Sequence, residues 1–379
     1  MTVYTPPMGF NTWNTFGNDI NETMICEIAD AMVDTGLRDC GYNYLVIDDC
    51  WSEKQRNDKG ELVPSKEKFP NGMRAVADYV HSKGLKFGMY SCVGAMTCAK
   101  YPGSFRHEFQ DARSFAEWGV DFLKYDYCYR SKSVTGAELY RKMGLALKNT
   151  GRDILYSACS WGHDQTEEWV DTTGANMWRA TGDIKDSWQF IKDLALKGLK
   201  LKGLNYINCF TDLDMLIVGM NGKGYCALTG CTVEEYITHF SFWSLFGSPL
   251  MIGCDIRDMD ADTIRILTNR EVIAINQDKE GNRPFILRGS EGMADSIEQP
   301  VAAKILENGD IAIGFFNFSD TSIFRYVTLD MLGLDADVNL KCTIKDLWSG
   351  QELQPENDMI TAFVKPHECK LYRLCIEVE

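Results

Sequence analysis

The sequence predicts an α/β protein, a (β/α)₈ TIM barrel followed by a C-terminal antiparallel β-sandwich. Two observations carry that prediction. Up to about residue 275, eight short apolar runs alternate with amphipathic helical patterns, the order of a parallel sheet built through right-handed crossovers. After Asn276-Gln277-Asp278 the helical patterns stop, and short alternating runs separated by turn residues take over.

The eight candidate strands are Met8–Trp13, Tyr42–Asp49, Lys86–Val93, Phe122–Asp126, Ile154–Ser160, Ala175–Ala180, Tyr206–Phe210 and Pro249–Gly253. Between them, Ile25, Ile28, Ala29 and Met32 recur at helix spacing, and so do Met73, Val76, Ala77 and Val80. Thr232 and Glu235 form the pattern of a capping box opening a helix over Val233–Phe246. Gly36, Gly84 and Gly151 stand where helices should stop. In the second part, Ala303 to Gly314 reads as a hairpin with Asn308-Gly309 as its turn. Further strand-like runs lie around Phe324–Leu329, Val338–Ile344 and Lys370–Leu374. The expected domains are a catalytic barrel over residues 1–283 and the sandwich over 284–379.

Composition narrows the partners. A formal net charge of −15 argues against nucleic acid and anionic membrane, which need basic patches to neutralise phosphate. A neutral small molecule suits that balance better, and a homo-oligomer stays open. No apolar run approaches a membrane span, and Met-Thr-Val-Tyr-Thr-Pro-Pro has neither a basic nor an apolar leader. The expectation is a cytoplasmic protein, or a secreted one whose leader has been removed. Fourteen cysteines are spread along the chain without a CxxC pair, so most are expected to be buried thiols rather than zinc ligands or a disulfide framework. Neither metal nor cofactor is expected: there is no HExxH, no P-loop and no GxGxxG after a strand, and the five histidines lack metal-ligand spacing. No Gly-x-Ser-x-Gly elbow is present either.

A barrel carries its chemistry at the C-terminal ends of its strands. Strand one ends at Trp13, strand two at Asp48-Asp49, and strand four at Lys124-Tyr125-Asp126. Strand five ends at Cys159-Ser160-Trp161, strand six leads through Trp178 and Arg179 to Asp183, and strand seven leads to Asp212, Asp214 and Met215. Carboxylates, one lysine, one arginine and tryptophans together suit a sugar: aromatic faces stack on pyranose C–H patches, and charged groups bind hydroxyls. Glycoside hydrolysis needs two carboxyl groups facing each other across the bond. Lys124, on the same strand face as Asp126, should hold that carboxyl ionised, as a nucleophile requires. Asp183, following the loosening Gly182 and shielded by Trp178 and Trp188, should have a raised pKa suited to donating a proton. Structural readings exist for each. Asp48-Asp49 could be a helix cap plus a surface charge, Lys124–Asp126 an internal ion pair, and Trp13, Trp51 and Trp161 core residues.

The motifs also carry a family likeness. They are Met8-Gly-Phe-Asn-Thr-Trp-Asn14, Ile47-Asp-Asp-Cys-Trp51, Phe69-Pro-Asn-Gly-Met73 and Ala77-Asp-Tyr-Val-His-Ser-Lys-Gly84. Thr97-Cys-Ala-Lys-Tyr-Pro-Gly-Ser104, Gly119-Val-Asp-Phe-Leu-Lys-Tyr-Asp126 and Trp178-Arg-Ala-Thr-Gly-Asp-Ile184 complete them. From about Pro7 to Asp278 the chain resembles the α-galactosidase / α-N-acetylgalactosaminidase family of retaining, melibiase-like glycosidases, and the sandwich fits that family's C-terminal domain. The resemblance implies that Asp126 attacks the anomeric carbon and Asp183 protonates the leaving oxygen. It further implies that Asp48 and Asp49 bind the 4- and 6-hydroxyls, Lys124 the 3/4 side and Arg179 the 2-hydroxyl side. Trp13 and Met215 would line the pocket, and Cys98 and Cys128 match a pair that often forms a disulfide beside it, a bond that a cytoplasmic setting would leave open or reduced.

Two departures from the family matter. Secreted members pair the cysteine at position 50 with one near position 18, where this chain has Asn18. Cys50 is therefore expected to be a free thiol, which favours a reducing compartment. The loop that reads the 2-substituent is Ser157-Ala-Cys-Ser-Trp-Gly-His163. Ser160 is the residue of the N-acetylgalactosaminidases, whereas Cys159 and Trp161 look like the crowding wall of plant-type galactosidases. The implied activity is an exo-acting α-galactosidase working by double displacement. Alternatives are an α-N-acetylgalactosaminidase, a β-L-arabinopyranosidase and a sugar-binding protein without catalysis.

Overall fold

A computed structural model of the chain describes residues 2–201, 207–287, 297–334 and 340–378. Eight parallel strands curl into one sheet: β1 (Met8–Asn11), β2 (Tyr44–Val46), β3 (Lys86–Cys92), β4 (Phe122–Asp126), β5 (Leu155–Cys159), β6 (Met177–Arg179), β7 (Phe210–Asp212) and β8 (Leu250–Ile252). Their order is β8-β1-β2-β3-β4-β5-β6-β7. A parallel bridge from Leu216, just past β7, to Ile252 in β8 joins the outer strands, with Leu216 N–H donating to Met251 O at 2.7 Å. The strands are shorter than most of the apolar runs that announce them, because the run ends bend into the loops of the site.

The seventh strand is displaced. The expected run was Tyr206–Phe210, of which Tyr206 lies outside the described residues; the observed strand is Phe210–Asp212. Met177 pairs with Phe210 and Arg179 with Asp212, so the ladder continues into polar residues that a search for apolar runs passes over.

Helices follow the strands and cover them. In α1 (Glu22–Asp34) and α2 (Gly72–Ser82), the residues that recur at helix spacing are the ones buried against the sheet. Each large aliphatic side chain so buried contributes roughly 1.5–3 kcal/mol. Both helices end at glycines in the left-handed region, Gly36 (φ +77°) and Gly84 (φ +73°). Six more helices follow: α3 (Glu108–Glu117), α4 (Gly136–Asn149), α5 (Trp188–Lys200), α6 (Val233–Leu245), α7 (Ala261–Leu267) and α8 (Arg270–Asn276). Gly151 (φ +74°) closes α4 in the same way. The capping box of α6 is formed: Glu235 N–H donates to Thr232 Oγ1 at 3.2 Å, and Thr232 N–H donates to Glu235 Oε2 at 2.8 Å. Among the described residues no helix is long and apolar enough to cross a membrane.

The second part is a sandwich. One sheet contains β9 (Phe285–Leu287), β10 (Val301–Ile305), β11 (Ile311–Phe316), β13 (Leu340–Asp346), β14 (Glu352–Leu353) and β16 (Cys369–Val378); the other pairs β12 (Ile323–Thr328) with β15 (Met359–Val364). The expected run Val338–Ile344 begins outside the described residues. Alternation assigns the faces. Val301, Ala303, Ile313, Phe315 and Leu374 meet Val327, Ile360 and Val364 between the sheets. Ala302, Ala312, Phe316 and Leu371 point the other way and join the barrel core. That is why α6 is buried on nearly every side: Phe242 stacks on Phe246 and meets Phe316 and Phe318 edge-on. The hairpin at Asn308-Gly309 forms one residue wider than a two-residue turn, with Leu306 N–H donating to Asp310 O at 2.9 Å. Gly309, at φ +88°, takes the strained position.

Candidate active site

The C-terminal strand ends converge on a small open cleft, the place a barrel reserves for its chemistry. Nine of the expected residues line it: Trp13, Asp48, Asp49, Lys124, Asp126, Trp161, Arg179, Asp183 and Met215. A wider groove lies elsewhere, between α4 and the start of β5, and carries Arg141, Lys148 and Arg152 but no facing carboxyl pair.

Asp48 and Asp49 are both buried at the end of β2. Asp48 Oδ2 accepts from Lys124 Nζ and from Asn11 Nδ2, each at 2.8 Å, while Oδ1 accepts the Asp49 N–H at 2.9 Å. Asp49 is anchored by the N–H groups of Cys50 at 2.7 Å and Ala99 at 3.0 Å. Burial raises the Asp49 pKa against those bonds. Burial alone would push the Lys124 pKa down, yet the Asp48 carboxylate holds it well above the usual range.

Asp126 ends β4, and its side chain is fixed at both oxygens. Tyr127 N–H donates to Oδ1 at 2.8 Å, and the Tyr90 hydroxyl donates to Oδ2 at 2.9 Å. Burial pushes its pKa up to about 6; Lys124, Tyr127 N–H and Tyr90 oppose that rise without cancelling it. Lys124 does lower this pKa, the direction expected of it, but only in part. The ammonium is paired directly with Asp48, and burial outweighs what remains of its pull on Asp126.

Asp183 departs from expectation in the opposite sense. Its side chain is 63% exposed, and Oδ1 accepts from Arg179 Nη2 at 2.7 Å. Burial raises its pKa, but Arg179, Lys124 and Lys185 together bring it below the usual carboxylate value. The tryptophans expected to shield it lie elsewhere. Trp178 is core, and Trp188 stacks between Phe318 and His367 at the sandwich junction. Trp51 is core as well, donating Nε1–H to Tyr90 O at 2.9 Å.

The loop after β5 splits its expected members. Trp161 reaches the cleft from a left-handed backbone (φ +56°). Ser160 is fully buried, with Oγ bonded to Thr166 Oγ1 at 2.6 Å, and is absent from the cleft wall. Cys159 is buried beneath the cleft in a small hollow shared with Lys124 and Arg179. Three wall residues were not chosen as site residues from sequence, Asn14, Tyr90 and Asp214, while Cys98, expected beside the pocket, lies on its wall. Tyr90 hides inside an apolar run. Asp214 was visible at the end of the seventh run and was passed over there in favour of its neighbour Met215.

Cys98 and Cys128 are bridged, with Cα atoms 5.2 Å apart, and Cys50 is a buried free thiol. Among the described residues, the compact group able to hold a metal ion is Cys98, Asp126 and Cys128. The bridge removes both thiolates, leaving a single carboxylate donor, too few for a metal site.

Comparison with known proteins gives the family. The family model for alpha galactosidase A matches residues 5–278, and that for the alpha galactosidase C-terminal beta sandwich domain matches residues 298–374. The chain belongs to the α-galactosidase A family. It is 43% identical over 371 residues to an alpha-galactosidase of Cyamopsis tetragonoloba, covering 98% of this chain and 86% of that one. Among solved structures it resembles alpha-galactosidase I from Mortierella vinacea (TM-score 0.87, 32% identity, 98% and 97% of the two chains). It also resembles the α-galactosidase of Saccharomyces cerevisiae determined with raffinose (TM-score 0.84, 30% identity, 99% and 98%). Members of the family are glycoside hydrolases on this two-part fold, and a small sugar is the substrate class.

Proposed function

We propose that this protein is a retaining, exo-acting α-galactosidase that removes terminal α-linked galactose from oligosaccharides or glycoconjugates. The observation that carries the reading is the shared cleft. Asp126 and Asp183 face one cavity from different strand ends, beside the Asp48–Lys124 pair. In the first displacement, an Asp126 oxygen bonds to the anomeric carbon as the bond to the leaving oxygen breaks, and Asp183 gives that oxygen its proton. In the second, Asp183 takes a proton from water, whose oxygen displaces Asp126 and restores the α-anomer. Tyr90 and Tyr127 N–H hold Asp126 in position for attack.

Asp48 and Asp49 present acceptors where the 4- and 6-hydroxyls of galactose would sit. Asp49 supports galactose over arabinopyranose, which lacks C6. Trp161 closes the side assigned to the 2-substituent, and the buried Ser160 makes no room there, which supports galactose over N-acetylgalactosamine.

The test is kcat/KM on an aryl α-galactoside and the matching α-N-acetylgalactosaminide, side by side. A galactose preference of roughly a hundredfold or more agrees with steric exclusion by the Trp161 wall. Preference for the acetamido sugar contradicts it.

A further inference from the structure

The mechanism above leaves Asp214 without a task, although this residue is among the most constrained on the cleft wall. It is buried, and its backbone sits at φ +90°, a strain that persists only where surroundings impose it. Four bonds impose it here. Its N–H donates to Asp212 Oδ1 at 2.8 Å, and its carbonyl accepts Trp243 Nε1–H at 2.7 Å. Its carboxylate accepts from Arg179 Nη1 at 2.7 Å and from the N–H of Ile184, next to Asp183, at 2.6 Å. Arg179 thus stands between two carboxyl groups, with Nη2 on Asp183 and Nη1 on Asp214.

A proton donor must be neutral before it donates. If Asp183 were the sole partner of Arg179, its protonation would leave a buried guanidinium without a counter-ion, which is strongly unfavourable. Building on the function proposed above, we propose that Asp214 is a positioning residue that takes over as the counter-ion of Arg179 whenever Asp183 carries the proton. The proton balance is simple. Asp183 takes one proton from water in the cleft, Asp214 releases one to it, and the cluster's charge is unchanged. The charged groups acting on Asp214 are Arg179 from β6, Asp212 from β7 and Asp183 from the intervening loop. Lys124 and Lys185 act on Asp183. Burial raises Asp214 to about 7, while Arg179 holds Asp183 low, so of the two Asp214 binds a proton more readily in the resting enzyme.

The test is Asp214→Asn, an isosteric change that cannot serve as a counter-ion. It is assayed on a dinitrophenyl α-galactoside, which needs no protonation, and on a disaccharide with galactose α-linked to a sugar hydroxyl. The expected loss is about a hundredfold or more on the disaccharide and no more than about threefold on the dinitrophenyl substrate, the signature of lost acid catalysis. The alkaline limb of kcat/KM should also move towards lower pH. Equal losses on both substrates, or an unmoved limb, overturn the proposal. Asp214→Glu retains the charge and serves as the second variant, particularly if Asp214→Asn does not fold: a near-wild-type ratio between substrates supports the proposal, and a selective loss overturns it. If Asp183→Ala shows leaving-group selectivity and Asp214→Asn does not, this inference alone fails. If wild type turns over neither substrate, the function itself fails.

Discussion

Lys124→Met examines how the cleft sets the charge of Asp126. Lys124 Nζ lies 2.8 Å from Asp48 Oδ2, and the two side chains are 15% and 3% exposed. Breaking such a buried pair from one side costs about 3–5 kcal/mol. The lower end applies, because Asp48 keeps its bonds from Asn11 and Asp49 N–H. At roughly 2–4 °C per kcal/mol for a larger domain, Tm should fall by about 6–12 °C. Lys124 is also the strongest influence lowering the Asp126 pKa, so its removal lets that pKa rise from about 6. Attack requires the carboxylate, so activity exists above this pKa and is lost as pH falls through it. The acid limb of kcat/KM on an aryl α-galactoside should therefore move up by about one pH unit or more, each unit being 1.36 kcal/mol. If kcat/KM drops by one constant factor at every pH and the limb stays in place, Lys124 does not act on Asp126 as argued.

The wild-type profile should be a bell. Its acid limb near 6 comes from Asp126, and its alkaline limb near 7 comes from loss of the proton shared by Asp183 and Asp214; a flat profile between those values and beyond would refute the assignment. Trp161→Ala should raise the ratio of acetamido sugar to galactose by roughly tenfold or more, measured as kcat/KM. Ser160→Ala should leave that ratio unchanged and cost about 1 kcal/mol, one buried hydrogen bond, in a denaturant melt. Gly94→Ala should lower both Tm and activity: a Cβ there would overlap the backbone of Cys128 and Tyr129, displacing the loop that carries Cys98 and anchors Asp49 through Ala99 N–H. The expected cost is about 1–3 kcal/mol.

Much of the fold can be read from the residues because burial leaves periodic marks. Ile25, Ile28, Ala29 and Met32 are all buried in α1, and Thr232 and Glu235 cap α6. β7 is harder to read because Thr211 and Asp212 extend the ladder with polar side chains. Among site residues, those at the ends of apolar runs are legible. Tyr90 is not, since a tyrosine pointing into a cleft looks in sequence like one in a core. The direction of Ser160 depends on a turn that brings Thr166 beside it, and no local pattern announces that contact. Protonation is the least legible property. The pKa of Asp126 depends on how deeply it is buried, and that of Asp183 on a pairing with Arg179 that a spacing of four suggests but does not establish.

The central claim, hydrolysis with retention through Asp126, is tested most directly by ¹H NMR of galactose as it is released from an aryl α-galactoside. The account predicts that the α-anomer appears first and equilibrates only later, and that Asp126→Ala releases none. Initial release of the β-anomer would mean single displacement by water, and Asp126 would not be a nucleophile.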